Sequence, residues 1–141
     1  MKKAIRLIVV VLAICICAVS CKKTINTIVI SGKWELVRTV VTENGQKVFD
    51  QYSPEQHVRT YFAFNSGDAF VKTTVSIDGE SYETGRWIVD DDILLLTYAG
   101  KSERYYIDKA GLFELILVES YTQAGVSVER TLYLESITTA N

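Results

Sequence analysis

From Gly32 onward the chain is a succession of short runs rich in Val, Ile, Thr, Tyr and Phe, each cut by turn residues. None of these runs is both helix-length and helix-periodic, and this constrains the fold more than any other feature. Strands are predicted at 33–43, 46–51, 58–65, 69–77, 80–89, 93–99, 103–108, 112–121 and 126–137. The breaks fall at Asn44-Gly45, Ser66-Gly67, Asp78-Gly79, Asp90 to Asp92, Gly100-Lys101, Lys109 to Gly111 and Gln123 to Gly125. Asn-Gly and Asp-Gly accept the positive φ that two-residue hairpins demand. Ser53-Pro54-Glu55-Gln56 offers one helical turn and no more.

Connections this short exclude parallel pairing, which needs a crossover of a dozen or more residues. Eight or nine strands must then pair antiparallel, neighbour to neighbour, and a sheet of that size curls and closes to remove its edges. The expected fold is all-β, an antiparallel up-and-down barrel of about eight strands, with a β-sandwich as the alternative. Side-chain alternation supports it. Val126, Val128, Arg130, Leu132 and Leu134 share one face, against Ser127, Glu129, Thr131, Tyr133 and Glu135. Trp34, Leu36 and Val40 share another, with Arg38 among them. Arg130 thus projects from an apolar row, where a charge is costly unless it is paired or stacked.

The first 21 residues read differently. Lys2, Lys3 and Arg6 give a positive start, Leu7 to Val19 is an unbroken apolar run of 13 residues, and Ala18-Val19-Ser20 places small residues before Cys21. A bilayer takes roughly 20 residues to span, so a permanent transmembrane helix is disfavoured. The residue preceding a lipidated cysteine must be small. Ser20 before Cys21 satisfies this, whereas Ile14 before Cys15 and Ile16 before Cys17 do not. The segment resembles the lipobox of bacterial lipoproteins. That resemblance implies removal of residues 1–20 and a lipid on Cys21; with the strand pattern, the chain is then expected to divide into a tether over 21–31, a barrel over 32–137 and a tail at 138–141. Lys22 stands where an aspartate would resemble an inner-membrane retention signal, so the implied location is the outer membrane, facing the periplasm. The alternatives are a cell-surface protein, or a secreted one if ordinary signal peptidase cuts after Ser20.

All three cysteines lie in that leader region, so the body has neither a disulfide framework nor a thiolate metal site. Of 15 basic and 17 acidic residues, three basic ones precede Cys21, which leaves 12 against 17 and a net charge of −5. A mildly acidic domain without a basic patch argues against a nucleic-acid partner.

Gly32-Lys33-Trp34 opens the first long strand, Gly85-Arg86-Trp87 recurs in a middle one, and Phe62-Ala63-Phe64-Asn65-Ser66-Gly67 lies between them. Behind a lipoprotein-type leader, this arrangement resembles the bacterial lipocalin-like lipoproteins, relatives of the calycin barrels, over about residues 32–137. The resemblance implies that Trp34 plugs the closed end and that Arg130, from the last strand, packs over its ring. Such a contact contributes about 0.5–2 kcal/mol. It also implies a small apolar ligand in the barrel.

No enzyme signature accompanies these features. His57 is the only histidine and reads as a solvated loop residue. Asp90-Asp91-Asp92 lacks the spaced ligands of a calcium loop and reads as a charged turn. Glu83, Glu114 and Glu119 read as outward strand positions. Neither a nucleophile elbow nor a phosphate loop occurs, and no metal or cofactor is implied. The aromatics are the remaining resource. Trp34, Phe70, Tyr105, Tyr106, Phe113 and the proposed ligand contacts Phe62, Phe64, Trp87 and Tyr98 either line a pocket or fill the barrel. Two functions follow: a lipid-anchored, non-catalytic binding module, or a solid-barrel protein that contacts an envelope partner. The first calls for an open apolar cavity of roughly 300 Å3 or more.

Overall fold

The computed structural model describes residues 25–53 and 57–137. The leader, Cys21, residues 54–56 of the expected helical turn and residues 138–141 lie outside that set. All nine expected strands are present, with ends within two residues of those read from the sequence. They are β1 (Gly32–Glu43), β2 (Gln46–Tyr52), β3 (Arg59–Phe64), β4 (Ala69–Ser76), β5 (Gly79–Asp90), β6 (Ile93–Tyr98), β7 (Lys101–Ala110), β8 (Glu114–Gln123) and β9 (Val126–Ser136). Every pairing is antiparallel and runs β2-β1-β3-β4-β5-β6-β7-β8-β9, with an additional β1–β9 pairing. That last ladder, from Trp34↔Ser136 to Glu43↔Val128, closes the sheet. The molecule is therefore a barrel, not a sandwich.

The ninth strand arises because β2 and β3 share one edge of β1. Residues Arg38 to Glu43 of β1 pair with β2, and Gly32 to Leu36 pair with β3. The two strands thus follow one another along the same edge, β2 ending at Tyr52 and β3 beginning at Arg59. The circuit of eight is thus β1 and β3–β9, with β2 as an extra strand. At Asn44-Gly45 both residues have positive φ, 47° and 81°, as the sequence of that hairpin demands.

The alternation read along β1 fails halfway. Opposite β9 the register slips between Leu36 and Arg38, so Leu36 pairs with Leu134 but Arg38 pairs with Tyr133. A bulge adds one residue and turns every later side chain to the other face. Arg38 and Val40 consequently point outward, and Thr39 and Val41 take the inner face. Outside, Arg38 donates from Nε and Nη2 to the Asp50 carboxylate, at 2.8 Å each, and lies 5.2 Å from the ring centroids of both Tyr52 and Tyr133.

One end is plugged. The segment expected as a tether is helical over residues 25–30. Its Ile30 is fully buried and accepts a 2.8 Å hydrogen bond on its carbonyl from Trp34 Nε1. Asn26 donates to the Asp91 carbonyl at 2.9 Å, which ties the segment to the β5–β6 turn. Above this plug the inner wall is apolar: Trp34, Phe64, Phe70, Trp87, Val89, Leu94, Ile107, Leu115 and Leu134 are each at most 5% exposed. Burying each large side chain contributes about 1.5–3 kcal/mol, and the T-shaped Phe64–Trp87 pair, with centroids 5.4 Å apart, adds about 0.5–1.5. Among the described residues, no helix is long and apolar enough to cross a membrane.

Candidate functional site in the barrel mouth

The inward rows change character toward the end that carries the Asn44-Gly45, Asp78-Gly79 and Ala124-Gly125 turns. In β4 the row runs from Phe70 to Lys72; in β7, from Ile107 through Tyr105 and Glu103 to Lys101; in β8, from Leu117 to Glu119; in β9, from Leu132 to Arg130. Strand parity keeps all of these inside. They surround a cavity of about 200 Å3 whose lining includes Leu36, Phe62, Lys72, Tyr98, Glu103 and Arg130.

The charges are arranged in pairs. Lys72 lies 3.3 Å from Glu83, Lys101 lies 3.6 Å from Glu103, and Arg130 Nη2 lies 2.6 Å from Glu119. Tyr105 donates its hydroxyl to Glu103 at 2.7 Å and accepts from Arg130 Nη2 at 3.1 Å. The Tyr98 ring lies 5.5 Å from Lys72 Nζ and 4.7 Å from Lys101 Nζ. Three cations and three anions thus share a half-buried chamber, joined through two phenols.

The proton affinities follow from this crowding. Burial, then the neighbouring Glu103 carboxylate, pushes the Tyr98 hydroxyl well above the usual phenol range. Burial likewise raises Tyr105 strongly, against the opposing pull of Arg130. For Glu103, burial favours the neutral acid, but hydrogen bonds from Tyr105 and Tyr98 and the charges of Lys101 and Arg130 outweigh it, so its pKa is lowered. Burial also works against the Arg130 charge, and Tyr105, Glu119 and Glu103 more than compensate. Among the described residues, Arg130 Nε is a buried donor without a hydrogen-bond partner. An orphan donor of this kind calls for an acceptor from outside the chain.

The structure divides the sequence-derived site residues. Phe62 and Tyr98 line the cavity. Phe64 and Trp87 do not; they pack beneath it, and Trp87 Nε1 donates to the Asn65 carbonyl at 2.9 Å. Tyr106 and Phe113 are 49% and 73% exposed, so neither lines the interior. Glu83 and Glu119 turn inward to Lys72 and Arg130, against expectation, while Glu114 faces out to Lys109. Trp34 is buried beside Ile30, whose carbonyl its Nε1 bonds, and Arg130 does not lie over its ring. Arg130 pairs with Val41 and Trp34 with Ser136, six residues apart along β9 or roughly 20 Å at strand rise. The guanidinium stacks on no tryptophan and is taken up by Glu119 and Tyr105. His57 is exposed in the β2–β3 connection with φ 55°, and the Asp91-Asp92 turn receives Asn26. Among the described residues, no group of three His, Cys, Asp or Glu side chains is placed to hold a metal. The cavity is smaller and more polar than the expected apolar pocket.

Comparison with solved structures gives the same architecture. The chain is similar to apocrustacyanin C2 and to lobster apocrustacyanin A1, each at 16% identity and a TM-score of 0.54, over 88% of this chain and 70% of theirs. It is also similar to apocrustacyanin C1, at 16% identity and a TM-score of 0.51 over the same shares. At that identity the likeness concerns the fold. No curated protein matches by sequence. Residues 30–110, from the plug through β7, match the profile of the lipocalin-like domain. With more than half of its length matched and its barrel closed in the same way, the chain belongs to the lipocalin-like domain family.

Proposed function

We propose that this protein is a lipid-anchored, non-catalytic binding module of the bacterial cell envelope that holds a small ligand in the barrel mouth. The observation that carries the reading is the 200 Å3 cavity, whose apolar floor of Leu36, Phe62 and Leu132 meets charged walls and the orphan Arg130 Nε. Drug-sized ligands occupy about 300–1,000 Å3. A cavity below that range suits a compact amphipathic molecule, its apolar part on Phe62 and an oxygen acceptor toward Arg130. A long acyl chain is a poor match, because it would desolvate the Lys72, Glu103 and Glu119 charges without pairing them. Lipidation of Cys21, with the outer membrane as its address, is supported by the sequence of the leader.

Native mass spectrometry of the protein purified from its own envelope tests the reading. A retained small molecule is the expected result, together with its loss from Arg130→Lys, which keeps the charge toward Glu119 but removes Nε. A bare chain, or retention unaltered in the variant, would refute it. Cys21→Ala is expected to move the domain to the soluble fraction.

A second reading has its own support. Among the described residues only β1 pairs with β2, whose other edge is accompanied by exposed Val48, Phe49 and Tyr52. Such an edge can accept a strand from an envelope protein. Crosslinking from position 48 in cells that yields one specific adduct, with an empty cavity, would favour it.

A further inference from the structure

The plugged end carries apolar side chains for which the fold has no use. Ile25 and Ile28, three apart on the helical segment and so on one face, are 54% and 68% exposed, while Ile30 is buried. Leu112 and Phe113, in the β7–β8 connection, are 76% and 73% exposed. The backbone hydrogen bond from Gly111 to the Glu114 carbonyl closes that connection, so its geometry makes no demand for large apolar residues, and turns ordinarily take polar ones. The two sites are neighbours. The Phe113 carbonyl accepts from Ser136 at 3.0 Å, Ser136 pairs with Trp34, and Trp34 Nε1 bonds Ile30. Turn and helical segment therefore flank the same tryptophan.

The position of the chain fixes what lies beyond. Cys21 is four residues ahead of Ile25, and four residues reach at most roughly 14 Å. Acyl chains on Cys21 would hold a bilayer within that distance of this end. We infer that the plugged end seats on the lipid surface, with Ile25, Ile28, Leu112 and Phe113 entering the headgroup–acyl boundary and the cavity mouth directed away from it. The inference rests on the proposed lipidation of Cys21. Asp90, Asp91 and Asp92 lie at this end and Lys22 and Lys23 follow Cys21 in the sequence, so neither sign of headgroup charge is demanded and a zwitterionic surface fits.

The test uses the processed, acylated protein carrying Phe113→Trp in phosphatidylcholine vesicles whose acyl chains are brominated near the headgroup. Trp34 and Trp87 are at most 5% exposed and supply a background measured on the parent protein. The expected result is at least twofold quenching of the added emission. An unquenched signal from protein that sediments with the vesicles overturns the inference while leaving the anchor intact. A concentration-dependent dimer that shields Trp at 113 overturns it too, in favour of a second copy on this face. The anchor is tested separately, by the mass of the mature N-terminus; a chain without acyl groups overturns that reading and with it the orientation. As a second reporter, Ile28→Trp in the acylated protein is expected to be quenched at least twofold in the same vesicles, with an unchanged circular dichroism spectrum. Unquenched emission from that variant counts against the inference.

Discussion

Gly85→Ala should be among the most damaging single-methyl additions in this barrel. A Cβ built on Gly85 would lie 1.9 Å from the Thr97 carbonyl oxygen, 2.6 Å from Tyr98 Cβ and 2.8 Å from the Thr97 carbonyl carbon. Real Cβ atoms essentially never approach closer than 3.0 Å, so the oxygen must retreat by more than 1 Å. It belongs to a backbone fixed on both sides, through Arg86↔Thr97 in β5 and Thr97↔Ser102 in β7. Overpacking a core costs about 1–3 kcal/mol when side chains can adjust, and a blocked backbone puts this substitution at about 3 kcal/mol or above. With a urea m-value of about 1–3 kcal/mol/M, the unfolding midpoint should fall by about 1 M or more. Gly45→Ala is the control. Gly45 has φ 81° and nothing within 4 Å of its added Cβ, so only the left-handed backbone is penalised, at about 1–2 kcal/mol. If Gly85→Ala lowers the midpoint by no more than Gly45→Ala, the close approach of β5 and β6 is not a real constraint and the reasoning fails.

Three further outcomes follow, two from the interior and one from a hairpin. Arg130→Met leaves Glu119 without its cation; breaking a buried pair costs about 3–5 kcal/mol, and the third of the Arg130 side chain that remains exposed lowers this to about 1–3. Adding Glu119→Gln should recover part of the loss in chemical denaturation, and strict additivity of the two changes would deny their coupling. Because the folded-state pKa of Glu103 is lowered, the unfolded chain takes up its proton first on acidification. The stabilisation is complete above the ordinary value of 4.5 and is lost as pH falls through the folded value. Thermal melts should therefore be less steep in pH below 4.5 for Glu103→Gln than for the parent; identical slopes would contradict this. Ala124, at φ 49° ahead of Gly125 at 79°, holds the first position of a tight hairpin where Asn is at ease. Ala124→Asn should raise stability by about 0.5–1 kcal/mol, measured in the same denaturation series.

Strand count and closure could be read from the residues because turn chemistry and period-two alternation are local signals. Asn44-Gly45 and Asp78-Gly79 announce hairpins whatever the rest of the chain does. The bulge at Leu36–Arg38 gives no such signal, since Val37 is an ordinary strand residue and the slip is set by how β1 meets β9. One unseen residue there was enough to misplace Arg38 and Val40. The helical segment at 25–30 was hidden for a related reason: six residues carry too little periodicity, and docking against Trp34 and Asp91 holds it in place. For the site, Arg130 stood out in an apolar row, yet the same test applied to Lys72 after Phe70, to Glu119 after Leu117 and to Glu103 before Tyr105 would have found the charged mouth. Placing Arg130 over Trp34 failed because sharing a face says nothing about sharing a level along the barrel.

The β1–β9 ladder has a kinetic corollary. Residue 34 must find residue 136, so the contact that seals the structure spans nearly the whole domain. Pairings of such separation form slowly, on the millisecond-to-second scale, and only after much of the loop entropy has been spent. Until the ninth strand arrives, the partly formed sheet shows two sticky borders. The interval before closure is when the chain is most exposed to aggregation, so its refolding yield should fall with protein concentration even where the folded barrel is stable.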